Sequence, residues 1–319
     1  MLTKNIIRTA LSTLLLLNSS YSFAQSYAFI SNQIDNSVAV IDLKTDKVIK
    51  SIIVKGKPVG IAVNNQQKQV YVSTPRGAGF TVIDTEKLEA IKDVKVGGAS
   101  VGITASPDGK RIFVADWYEN TVSIFSSADF KLEKKLTVGR SPSGVAVSPD
   151  NRWLYVANRL DNTISQIDLT TLRVRNTTKV GEHPFGIKLN KQGDKLYTAN
   201  VESDDISVLN TKNLKQIKRI KVGGRPYAIA LALNESRLFV TNQDDSSISV
   251  VDTQSLKEIK QIEVGDKPEG ISTSLDDRHV YVANWFDGTV SVVDAKSLTL
   301  IKTIMSGEGS RAFGDFISQ

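Results

Sequence analysis

A 42-residue repeat that recurs seven times, four β-rich runs inside each repeat, and an apolar C-terminal strand with no sequence after it predict an all-β fold, a seven-bladed propeller. The repeat is marked by YAFISN, VYVST, IFVAD, LYVAN, LYTAN, LFVTN and VYVAN. Their last residues, Asn32, Thr74, Asp116, Asn158, Asn200, Asn242 and Asn284, lie 42 apart throughout. Seven such units fill 294 residues, and 295 remain from Gln25 onward, so the repeat accounts for the whole of residues 25–319 as one domain.

Within the unit that starts at Ser143, the four strand runs are SGVAV, WLYVAN, TISQID and LRVRNTTKV. Turn formers in SPDN, RLDN and DLTT separate them, and VGEHP leads into the next unit. A solenoid of these units would need capping repeats with a polar outer face, and neither end of the chain reads as a cap. The terminal SRAFGDFI aligns with PFGIKLN and PEGISTS, the innermost strands of later units, whereas the N-terminal SYAFISN begins at a second strand. The C-terminal strand is therefore expected to pair with residues 26–32 and complete the first blade, removing two edges that would otherwise template aggregation.

Residues 1–24 read as a cleavable export signal. Lys4 and Arg8 give a positive start, ALSTLLLL a short apolar centre, and Ser22 and Ala24 a small-residue cleavage site. No other stretch is apolar and long enough to span a bilayer, so a periplasmic or secreted monomer is expected. The chain has no cysteine, which excludes disulfides, thiolate metal sites, thiol nucleophiles and covalent c-type haem attachment. Two histidines, His183 and His279, leave little for a histidine-rich metal site. No metal or cofactor is expected.

The YVAN core, the SPDG turn from Ser106 to Gly109, the DNTVSVID-like third strand and the VGxxPxG linker resemble the YVTN repeats of bacterial propellers, over residues 26–319. The export signal and the terminal RAFGDFI are similar to those of the periplasmic YncE type. That resemblance implies the propeller fold and binding of single-stranded DNA. One fold hosts many functions, so the site has to be argued from residues.

The formal charge is +6, and +4 without Lys4 and Arg8. The excess gathers on the fourth, outermost strands, above all in blades four and five, where Arg173, Arg175, Lys215, Lys218 and Arg219 form a basic outer arc. Lysine on a free edge blocks strand addition, which explains the general bias. The local excess could also meet phosphate, lipopolysaccharide or an acidic partner.

Propeller ligands sit on the face built by the second-to-third-strand loops and the blade-to-blade linkers. The linkers supply Lys57, Arg140, His183, Arg225 and Lys267. A diversified column follows them: Val59, Val101, Ser143, Phe185, Tyr227, Glu269 and Arg311, the last two a candidate ion pair at the closing seam. Trp117 with Tyr118, and Trp285 with Phe286, place aromatics on two loops nearly opposite each other. These suit stacking on bases or sugars, or packing over neighbouring loops. Arg159 completes the candidate set. Lys188 is the ionisable member of a small-residue column, and it is expected either to snorkel to the channel or to pair with a carboxylate.

These features favour a non-catalytic exported binding or scaffold protein, with single-stranded nucleic acid, an envelope protein or a glycan as its partner. The alternative is a lactonase-like hydrolase at the channel mouth, with His183 as base and Arg225 or Arg311 steadying an oxyanion. No HExxH pair or carboxylate cluster supports it.

Overall fold

The second strand of each repeat carries one aromatic residue at the same place: Phe29, Tyr71, Phe113, Tyr155, Tyr197, Phe239 and Tyr281. In the computed structural model, which describes residues 26–318, all seven are buried between adjacent sheets. A strand packed on both faces needs an apolar run without alternation, and these strands are buried from their second residue to their last. The seven sheets form the predicted ring, six with four strands running from the axis outward and the second blade's with a fifth added at the axis. The leader read at residues 1–24 lies outside the described residues.

Fourth strands behave oppositely. Thr299–Met305 is exposed except for the inward Ile304, and Lys47–Ile53 except for the inward Ile52 and a half-buried Lys50. In every blade the pairing of third with fourth strand slips by one residue, which leaves a bulge on the outer edge. Bulges and lysines together keep seven free edges from pairing with other chains.

First strands crowd the axis. Their backbones pass so near the next blade that a Cβ on Gly102 would lie 1.8 Å from the Ser143 carbonyl oxygen, and one on Gly144 would lie 2.3 Å from that of Phe185. Hydroxyls lace the same seam: Ser31 Oγ donates to Val59 O and Ser73 Oγ to Val101 O, both at 2.7 Å.

The C-terminal segment closes the ring by the predicted route, with one deviation. Ile317–Ser318 pairs antiparallel with Tyr27 and Ala28, Phe29 N donates to Phe316 O at 2.9 Å, and Arg311 N donates to Ser31 O at 2.8 Å. Between these anchors, Phe313–Asp315 leaves blade one and runs parallel to Gly60–Ala62 of blade two. The same crowding at the axis explains this. Gly314 adopts φ +118°, where a Cβ would meet Ile61 O at 2.3 Å, so the segment leans onto its neighbour where other first strands bulge.

Aspartates finish the third strands. Asp84 Oδ1 accepts from the backbone N–H of Glu86 and Lys87, and Asp168 and Asp294 repeat the arrangement. These backbone bonds hold all three carboxyls below their ordinary range; at the same turn of blade three, Asp129, bonded mainly by Lys131, falls to about 2. A lowered folded pKa gives stability that is present above the unfolded value of about 3.9 and is lost as pH falls through the folded value. Denaturant midpoints should therefore drop between about pH 4 and pH 2, and a variant with Asn at 84, 168 and 294 should show a flatter profile. Phe113→Ala, which empties one inter-sheet aromatic position, should cost about 3–5 kcal/mol in urea unfolding.

Candidate functional site

At five of the seven seams, the last linker residue before a proline has a left-handed backbone: Lys57, Ser141, His183, Arg225 and Lys267 have φ of +50 to +59°. Four of these N–H groups are held by a side-chain oxygen of the preceding loop: Lys57 by Asn36, Ser141 by Asn120, His183 by Asn162 and Arg225 by Asp204, at 2.9–3.1 Å. Blade two breaks the rule. Its loop reads PRGA, and Ala78 offers no acceptor, so the next linker takes another path in which Gly97 and Gly98 hold the positive φ.

A cavity of about 360 Å³ opens at this break, on the linker face between blades one and three. Val59, Val101 and Ala99 make its floor, Trp117 and Tyr118 one wall, and Ile34, Pro75 and Arg76 the other. Lys57 reaches its rim, with Nζ donating to Ile34 O at 3.1 Å. Arg76 is exposed and forms no ion pair among the described residues. Arg159 lies over the Trp117 ring, 5.6 Å from its centroid. No carboxylate lines the cavity.

Elsewhere on this face the cations are matched. Arg140 pairs with Asp161 at 2.5 Å, Arg225 with Glu202 at 2.8 Å, and Lys267 with Asp244 at 2.9 Å. His183 Nδ1 stands 3.7 Å from Glu202 Oε1. His183, Arg225 and Lys267 are thus members of a charge-balanced rim on the far side of the mouth.

Beneath the mouth, side chains from several blades meet at the axis. Phe185 packs on Tyr227 at 4.0 Å and on Phe313 at 4.8 Å between ring centroids, and Trp117 presents its edge to Phe185 at 6.0 Å. Arg311 ends in the same layer: its Nε lies 2.5 Å from Glu269 Oε2, and a terminal N–H donates to the Tyr227 hydroxyl at 2.7 Å. Gln243 donates to the other Glu269 oxygen at 2.9 Å. Burial pushes the Glu269 carboxyl up, against the pull of Arg311, and pushes the Tyr227 phenol well above its usual range. The seam ion pair expected from the sequence is present.

Of the sequence candidates, Trp117, Tyr118, Arg159 and Arg311 border the cavity, while Phe185, Tyr227 and Glu269 are buried below it. Trp285 touches its edge through Nε1, which donates to Gln33 Oε1 at 3.3 Å. Arg76, Ile34 and Gln33 are additions. Their signal was the PRGA loop, the one second-to-third-strand loop without a polar side chain at its last position, apart from the glycine of WFDG. In the outer arc, Arg219 pairs with Asp205, while Arg173, Arg175, Lys215 and Lys218 form no ion pair among the described residues.

Three family models match parts of the chain: a YNCE-like beta-propeller over residues 22–106, a 7-bladed beta-propeller lactonase over 130–213, and a cytochrome D1 heme domain over 203–311. The first match and the seven-bladed ring support a YncE-like propeller family. Among curated proteins no match was found. Similar solved structures include Kuenenia stuttgartiensis hydrazine synthase, 20% identical with a TM-score of 0.78 over 84% of this chain and 92% of that one. A functionally unknown protein from Desulfotomaculum acetoxidans is 14% identical, with a TM-score of 0.79 over 90% and 97%. The dihydro-heme d1 dehydrogenase NirN is 15% identical, with a TM-score of 0.67 over 88% and 73%. At these identities the likeness is one of fold.

Removing one partner of a buried ion pair strands the other. Glu269→Ala should therefore destabilise the protein by about 3–5 kcal/mol, and replacing both Glu269 and Arg311 by Met should recover most of the loss in thermal melts.

Proposed function

We propose that the chain is a non-catalytic binding propeller whose ligand sits in the linker-face cavity between blades one and three. The observation that carries this reading is charge balance: the cavity joins an exposed aromatic, Tyr118, to Lys57 and Arg76, with no carboxylate in its lining, on a face where Arg140, Arg225 and Lys267 are each paired with a carboxylate. An anionic ligand with a planar group matches that chemistry, the ring stacking on Tyr118 and Trp117 and the anion meeting Arg76 and Lys57. Single-stranded nucleic acid is such a ligand, and export to the periplasm is the location we propose for it.

Two other readings follow from the partial matches. A hydrolase would depend on His183, which lies on the balanced rim beside Glu202 and Arg225 and outside the cavity. His183→Ala would abolish any lactone turnover, and unaltered turnover would remove that reading. NirN's structure is of a complex with DHE, and a macrocycle at the channel mouth here would need the space that Phe185, Tyr227 and Phe313 fill. The described histidines do not face that space together, since His279 opens the second strand of blade seven beside Asp276. The residues do not fit such a group.

Fluorescence anisotropy with a labelled single-stranded oligonucleotide tests the binding reading, at about 50 and 200 mM salt. Tyr118→Ala should weaken binding about 5- to 150-fold, the range of one base stacked on an aromatic. Arg76→Ala should lower the salt slope by about 0.7. Absence of binding at the lower salt would overturn nucleic acid as the ligand.

A further inference from the structure

The channel has a second mouth on the opposite face, where a cavity of about 550 Å³ runs up to Phe313. Ile103, Ile229 and Ile271 on the first strands form apolar parts of its wall, and polar residues, among them Asn65, Gln66, Asn190, Lys191 and Glu235, line the rest. The next residue along each first strand is small or neutral in six of seven blades: Ala62, Thr104, Ala146, Ala230, Ser272 and Gly314. In blade five it is Lys188. Its Nζ reaches Asp315 on the closing segment, 2.5 Å from Oδ1, and neither side chain has another polar partner among the described residues.

A pair that existed only to clasp the ring would be placed out of water and braced by further hydrogen bonds, as Arg311 and Glu269 are on the other side of the plug. Here Asp315 is 66% exposed and Lys188 28%. An exposed pair contributes little to stability, because water screens it and both side chains lose freedom. What the arrangement does provide is a cation beside the isoleucines of the chamber wall, covered by a carboxylate that water can readily take back.

We propose that this mouth is a second ligand site, independent of the linker-face cavity, and that it takes a small organic carboxylate with a compact apolar body. The ligand's carboxylate accepts from Lys188 in place of Asp315, and its body lies against the isoleucine walls beneath Phe313. Asp315 is then a built-in competitor: the fraction of molecules in which it holds Lys188 lowers the apparent affinity by the same fraction. The size of the chamber is in the range of small-molecule sites, which commonly set a few placed polar and charged groups beside apolar wall residues.

Ligand-observed NMR titration with benzoate tests this, with benzyl alcohol as the uncharged analogue and inorganic phosphate as the anion without an apolar body. The full mature chain, Lys188→Met, Asp315→Asn and Arg76→Ala are compared, each checked for folding by thermal melt. Benzoate should bind the unaltered protein more tightly than either comparison compound. Asp315→Asn should tighten it about fivefold, the effect of releasing a cation from an exposed pair, and Lys188→Met should abolish binding. Arg76→Ala should leave it unchanged. If Lys188→Met does not fold, Lys188→Gln serves the same comparison. Equal affinity in Asp315→Asn, retention in the Lys188 variants, or loss in Arg76→Ala would each overturn the proposal. None of these outcomes depends on whether an oligonucleotide binds the other face.

Discussion

Everything in this molecule depends on sheets packing face to face around an axis, and the repeated aromatic of the second strand sets that packing. Each ring fills the wedge between its own sheet and the next, a wedge that narrows toward the axis and widens outward. The position is aromatic in all seven blades, alternating only between Phe and Tyr. In three of the four Tyr blades the hydroxyl has a partner at the rim of the layer: Tyr71 accepts from Asn64, Tyr155 from Gln166, and Tyr281 donates to Asp46 across the closing seam. Burial of the rest of the ring then pushes the phenols of Tyr71 and Tyr197 to about 12. The blade is in effect a holder for one large side chain.

The axis imposes the opposite rule. Seven equal side chains cannot converge on one line, so a column that points there has to diversify to fit. Val59, Val101, Ser143, Phe185, Tyr227, Glu269 and Arg311 do so: three small residues face three large ones and a carboxylate, and the ion pair sits where ring closure needs a fixed register. Read as a string, the same diversity resembles freedom to bind a ligand. Only the convergence of the strands shows that much of it is packing, with the open space displaced to the side where blades two and three depart from the repeat.

That contrast explains what was legible beforehand. A strict 42-residue period needs no structure to be seen, and the number of blades, the order of strands and the joining of the two chain ends follow from it. The deviation at Phe313–Asp315 was not visible, because it depends on how far the inner backbones crowd one another. The candidate site was half legible. Trp117, Tyr118 and Arg159 stand out by residue type, and PRGA by its missing acceptor, but the neutralisation of Arg225 and Lys267 involves carboxylates 23 residues earlier across a seam, a separation with no local signal.

The closing strand has a consequence for how the protein is made. Residues 317 and 318 complete the sheet that begins at Tyr27, a pairing that spans 291 positions of the chain. The first blade to be synthesised is thus the last that can be finished, and its inner edge stays open until the C-terminus arrives. Contacts so distant in sequence form slowly, because the chain entropy of closure is lost before they reward it. This topology is an advantage as well as a cost: the ring cannot lock before the last residues arrive, and once the ends meet neither can fray without opening the other.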